Sequence, residues 1–166
     1  MKSVSEGVVV TTLLATASVL PVAVAADLPK EGSYDFVSCW SGASNVIQYS
    51  KMHRATSYEM TGMNRSNPPG GLFDNTSFRC VGTNASFDGK PTSSTVCETV
   101  DADGHKRLTY FSQGADGKMV RQDVAGTGKY EGLATSGTVT TLGPFPTIKD
   151  GTFQGCNRQT GTYKMK

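Results

Sequence analysis

Several patterns that usually announce a function are scarce or missing here. Charge imbalance is slight: 16 Lys and Arg face 14 Asp and Glu, a net of +2. So small a surplus argues against a nucleic-acid footprint and against attraction to an anionic membrane surface. Histidine is limited to His53 and His105, and the four cysteines show no C-x-x-C or C-x-C spacing, so a zinc site is not signalled. No Gly-x-Ser-x-Gly elbow is present. After the first 26 residues no segment keeps a helical period for three turns, and none is apolar enough to span a membrane, which takes roughly 20 residues. Neither a metal nor a cofactor is expected.

What is present begins with an export signal. Val8 to Leu20 is uncharged and largely apolar, Met1-Lys2 precedes it, and Pro21 and the small residues Ala23 to Ala26 follow. The run is too short for a membrane anchor and reads as a secretory signal peptide over residues 1–26, cut after Ala25 or Ala26. The remaining residues, 27–166, suit one domain in the periplasm or the secreted medium. Cys39, Cys80, Cys97 and Cys156 all lie in that exported part. An even count in an oxidising compartment predicts two disulfides. Three connectivities are possible; the favoured one joins Cys80 to Cys97 across a local strand pair and Cys39 to Cys156 across the first and last strands.

Short β-branched and aromatic runs alternate with turn clusters every 8–12 residues, roughly the spacing of an antiparallel barrel or sandwich. Strands are predicted at Ser33–Trp40, Val46–Lys51, Thr56–Thr61, Thr76–Gly82, Thr92–Val100, His105–Phe111, Met119–Val124, Lys129–Leu133, Gly137–Leu142, Asp150–Asn157 and Thr160–Met165. Ser41–Asn45, Asp88-Gly89 and Asp101–Gly104 read as turns. Asn64–Asn75, with Pro68-Pro69-Gly70-Gly71, reads as a long solvated surface loop, the alternatives being that Phe73 plugs it against the core or rims a pocket.

Gly126-Thr127-Gly128-Lys129 invites comparison with a phosphate-binding loop. Asp123 stands where that motif needs its first glycine and Tyr130 where it needs Ser or Thr, so the glycines are expected to set a turn instead. Asp101-Ala102-Asp103-Gly104-His105 begins like a calcium loop, but Gly104 comes too early and Ser112 stands where glutamate is needed. His53, Arg54 and Glu59 sit near a strand end, where general acid–base chemistry or anion binding competes with a plain polar edge.

The stretch Gly126-Thr127-Gly128-Lys129-Tyr130-Glu131-Gly132, followed by Ser136-Gly137-Thr138, resembles a motif of small secreted bacterial β-barrel proteins of the calycin type, and more loosely the allene oxide cyclase and dirigent barrels. Cys80, Cys97, the Asp101–Gly104 turn and the closing Gly161-Thr162-Tyr163-Lys164 also match, so the resemblance covers roughly Phe78 to Lys164. Ala125 and Thr135 depart from it, and the Gly-x-Trp of lipocalins is missing. No catalytic residue of the cyclases maps onto this chain. The resemblance implies a barrel and an exported life.

The resulting expectation is an all-β protein: a single antiparallel up-and-down, calycin-like barrel of about eight strands after the signal peptide, binding one small, partly apolar or aromatic ligand. Tyr49, His53, Arg54, Glu59, Tyr110 and Tyr130 are the candidate ligand-binding residues, with Phe145 as a further aromatic for the rim. A filled barrel with a structural or interaction role, and a cyclase- or isomerase-like enzyme using His53, Arg54 or Glu59, are the alternatives.

Overall fold

The structure is a computed structural model that describes residues 28–166; the expected signal peptide lies outside the described residues. Eight antiparallel strands follow in order: β1 Glu31–Gln48, β2 Arg54–Ser66, β3 Thr76–Phe87, β4 Lys90–Val100, β5 Lys106–Gln113, β6 Met119–Gly126, β7 Ala134–Leu142 and β8 Thr152–Lys164. The ladder runs β6-β5-β4-β3-β2-β1-β8-β7. Every neighbour in sequence pairs except β6 and β7, while β1 and β8 join the chain ends. The sheet thus curls into a nearly closed barrel. At the remaining seam Asp123 spans the gap, its Oδ2 accepting bonds from the Thr135 backbone N–H at 3.0 Å and from the Thr135 hydroxyl. Closure of this kind hides the edges that an open sheet would expose.

Both disulfides form with the favoured connectivity, Cys39–Cys156 and Cys80–Cys97. Each joins residues directly opposite in a ladder, Cys39 against Cys156 and Cys80 against Cys97. Two such bridges belong to a non-cytoplasmic protein. No helix among the described residues is long and apolar enough to cross a membrane. The outer wall carries ion pairs, Glu59–Arg79, Glu98–Lys106 and Asp35–Arg158.

Several strand boundaries differ from the sequence reading. Ser41–Asn45 is not a turn: β1 runs unbroken through it, paired with β2 on one side and β8 on the other. Gly42 serves close approach there, since a Cβ would stand 2.3 Å from the Glu59 carbonyl oxygen and 2.7 Å from the Phe153 ring. The two final strand candidates merge into β8 for the same reason, since pairing on both sides outweighs local turn preference. Lys129–Leu133 is not a strand. Gly128–Tyr130 forms a short 3-10 helix in the β6–β7 connection. Asp88-Gly89 is a two-residue hairpin turn as expected, with φ of 52° and 74°.

The strand connections segregate. The β1–β2, β3–β4, β5–β6 and β7–β8 connections lie at one end; β2–β3, β4–β5, β6–β7 and both ends of the described chain lie at the other. This second end is closed by a floor of Tyr34, Phe36, Leu72, Phe73, Tyr130, Leu133 and Tyr163. The segment 67–75 is therefore no plain solvated loop. Asp74 orders it, its two carboxylate oxygens accepting from the Ser66 and Gly70 backbone N–H groups at 2.9 and 2.8 Å. The Gly70 bond is the leading reason that its carboxyl is held below the usual range. Phe73, fully buried, then reaches into the barrel with its ring centroid 5.0 Å from Phe36 and 5.3 Å from Tyr34, and lies nearly parallel to Tyr130.

The glycine-rich connection completes this floor. Gly128 has φ of +55°, and a Cβ there would stand 2.2 Å from the His105 ring. Lys129 is engaged, its Nζ 2.8 Å from Asp101 Oδ2. Gly128→Val is expected to lower stability by roughly 2–4 kcal/mol, combining a left-handed backbone position that valine resists with the clash. Urea unfolding reads this directly, and a variant as stable as the parent would show that the connection has no part in the folded core.

Candidate functional site

The strand end opposite the floor is open. Inward positions alternate along each strand, and those of the middle and upper barrel are Trp40 on β1, Tyr58 and Met60 on β2, Phe78 and Cys80 on β3, Thr95 and Cys97 on β4, Phe111 on β5, Met119 on β6 and Phe153 on β8. They enclose a funnel. Its mouth, about 630 Å³, is bounded by Arg54, Tyr58, Asn84, Ser93, Gln113 and Phe153. Below it a deeper chamber of about 190 Å³ reaches the floor. Trp40, Met60, Thr95, Phe111 and Met119 line both, so the two spaces adjoin across these side chains. Together they span the volume usual for a small-molecule site. The outer wall also has a groove of about 790 Å³ over Thr61, Met63, Ser77 and Arg79, but none of the buried unpartnered polar atoms faces it, so the interior is the better candidate.

The chamber changes character with depth. Aromatic rings, thioethers and the Cys80–Cys97 disulfide occupy its upper part. Near the floor are Ser38, Asn64, Thr99, Arg107, Thr109 and Gln159, all buried. Some of these satisfy one another: the Ser38 hydroxyl donates to Asn64 Oδ1, and Asn64 Nδ2 donates to the Thr76 hydroxyl at 2.8 Å. Arg107 and Thr109 are different. Arg107 is 5% exposed, its guanidinium lies 4.3 Å from the Phe73 ring centroid, and its Nε and Nη1 have no hydrogen-bond partner. The Thr109 hydroxyl, on the same face two residues along, also has none. Burial, and next the nearby charge of Arg121, bring the Arg107 pKa down to about 10, so it remains cationic at neutral pH.

Arg121 makes two hydrogen bonds, although its Nε and Nη2, and the Oδ1 of Asp123, also lack a hydrogen-bond partner. Its Nη1 donates to Tyr34 Oη and Gln159 Oε1, each at 3.2 Å, and its Nη2 lies 3.7 Å from Asp123 Oδ1. Asp123 also holds the β6–β7 seam, which makes it the one carboxylate facing these two guanidiniums among the described residues.

The six candidate residues named from sequence do not converge on this interior. Arg54 alone faces inward, at the mouth. Glu59 points outward and pairs with Arg79 at 2.7 Å. Tyr110 is on the outer face, its hydroxyl oxygen accepting from the Ser94 hydroxyl at 3.5 Å. Tyr49 is 86% exposed in the β1–β2 turn. His53 sits in the same turn, its Nδ1 2.9 Å from the Ser50 hydroxyl and its Nε2 3.2 Å from Asp88. Tyr130 is buried in the floor and donates to the Leu72 carbonyl oxygen at 3.2 Å; burial raises its pKa well above the ordinary phenol value. Phe145 lies in the β7–β8 connection, at the mouth end, 44% exposed. His53, Arg54 and Glu59 thus form no acid–base group around a shared point.

The inward residues were hidden for a physical reason. In β5 the sequence alternates Arg107, Thr109 and Phe111 with Leu108 and Tyr110, and an amphipathic reading turns the leucine and tyrosine inward. The barrel does the reverse, because this end of its interior is polar. The signal available was alternation without a sign.

Asp101, Asp103 and His105 bring three possible metal-ligating atoms within 4.8 Å. They form the β4–β5 turn instead. Asp101 Oδ1 accepts from the Asp103 and His105 backbone N–H groups, both at 2.9 Å, and its other oxygen faces Lys129. Burial works to raise the Asp101 carboxyl, but the Lys129 ammonium and these backbone donors outweigh it and hold it below its ordinary value.

No protein-family model, curated protein or solved structure matches the chain. The eight-stranded, nearly closed barrel is compatible with a calycin-like fold.

Proposed function

We propose that this protein is an exported binding protein, periplasmic or secreted, that holds one small, partly apolar molecule inside its barrel. The observation that carries this reading is the pair of adjoining interior spaces that share Trp40, Met60, Phe111 and Met119, above the packed floor at the other end. A barrel built for structure alone would fill that space with side chains, as the floor does with Phe73 and Tyr130. The resemblance of the glycine-rich connection to secreted bacterial calycin-type barrels fits the same reading.

Trp40 supplies the test, since it is the single tryptophan of the chain and lines the funnel. Titration with the neutral apolar fluorophore N-phenyl-1-naphthylamine is expected to give saturable energy transfer from Trp40 at one site per chain. Unchanged Trp40 emission together with no gain in probe fluorescence would overturn the reading.

A further inference from the structure

Resting on that reading, the geometry points to a second feature of the same site: the base of the chamber is a subsite for a single oxyanion headgroup, held by Arg107 and Thr109, so that the ligand is an anionic amphiphile whose apolar tail runs up the funnel towards the mouth.

Charge balance is the first argument. Two guanidiniums, Arg107 and Arg121, meet one carboxylate, Asp123, beneath the apolar part of the funnel. Asp123 lies close to Arg121 and bonds across the seam to Thr135. One positive charge is left over on a buried side chain at the base of the funnel, and a buried charge without a counter-ion is costly. Hydrogen bonding is the second. A guanidinium presents its donors in a planar fork suited to an oxyanion, and Nε and Nη1 of Arg107 are both unused. The Thr109 hydroxyl adds a third free donor on the same wall. Placement is the third. Phe73 of the floor lies against the guanidinium, while Phe111, Met60 and Trp40 line the same chamber. A headgroup at the base therefore puts its tail among rings and thioethers. Arg54 at the mouth adds a positive charge on the way in.

Decanoate, decyl sulfate and decanol, titrated by Trp40 emission and by calorimetry, share a ten-carbon chain and differ in the headgroup. Decanoate is expected to bind roughly ten- to a hundredfold more tightly than decanol, the span of a hydrogen-bonded charged group. Arg107→Met is expected to abolish that preference while leaving decanol binding in place, and Thr109→Val to weaken decanoate by about fivefold with decanol unaffected. Arg79→Met, on the outer wall, removes the same charge and is expected to change neither. A matching preference for decyl sulfate supports the subsite and extends it to sulfate; its absence supports it as a carboxylate site. A merely structural Arg107 would lower the melting temperature and weaken all three ligands alike, which overturns the proposal. Equal binding of the three to the unaltered protein also overturns it, yet leaves the small-molecule reading standing. Failure of all three to bind sinks both. Should Arg107→Met not fold, Thr109→Val decides: unchanged decanoate affinity overturns the subsite.

Discussion

Phe73→Ala is expected to destabilise the barrel by about 3–5 kcal/mol, the range for removing a fully buried phenylalanine ring. The residue lies in a connection between strands, where such a change would ordinarily be mild. Here the ring is fully buried, touches Phe36, Tyr34 and Tyr130, and lies against the Arg107 guanidinium. Its loss leaves a cavity at the closed end that the neighbours cannot fill, because Tyr34 and Phe36 are fixed on β1 and Tyr130 is tied to Leu72. Arg107 would also lose the surface it stacks on. Denaturant titration should show a lower midpoint with little change in slope. A loss below about 1 kcal/mol, the scale of an ordinary substitution, would mean that segment 67–75 lies outside the cooperative core.

Replacing Cys39 and Cys156 by serine is expected to cost about 5 kcal/mol in the chain-entropy model. The bridge spans 117 residues and links the first strand to the last, so in the unfolded chain it restrains nearly the whole domain. The chain-entropy model gives about 4.7 kcal/mol for a loop of 100 residues, against about 3 for one of 15. The comparison is Cys80–Cys97, with a separation of 17. Both bridges lie across ladders that are already hydrogen-bonded, so neither is needed to specify the pairing. The longer one should nevertheless matter more, since β1–β8 pairing is the contact most distant in sequence. Equilibrium unfolding of the two double variants gives the order. A smaller loss for Cys39–Cys156 would show that residual structure in the unfolded chain, rather than loop entropy, governs the effect.

These two expectations rest on features of unequal visibility in the sequence. The disulfides were legible, because four cysteines after a segment read as an export signal leave few pairings and the expected strand order favours one. The Asp88-Gly89 hairpin was legible too, since its backbone conformation follows from the residue pair. Phe73 was not: Pro68-Pro69-Gly70-Gly71 marks a break in regular structure, and nothing local says whether the residue beyond it faces water or the barrel. Ser41–Asn45 misled in the opposite direction, with turn-forming residues held extended by partners on both sides. Lys129–Leu133 has residues suited to a strand and lies in a 3-10 turn, because the chain has to cross the floor there.

By itself the sequence determined that the protein is β-rich, that it carries two disulfides and that no segment after the first 26 residues keeps a helical period for three turns. Each follows from composition, spacing or turn chemistry, which act within a few residues. Only the tertiary structure decided which face of every strand looks inward, and so which residues form the site. In a barrel that choice comes from register and closure. Because side chains alternate, one residue of slip would exchange Arg107, Thr109 and Phe111 for Leu108 and Tyr110. Strand pairings between residues far apart in the chain set the register, and with it the placement of an unpaired guanidinium at the base of an apolar funnel.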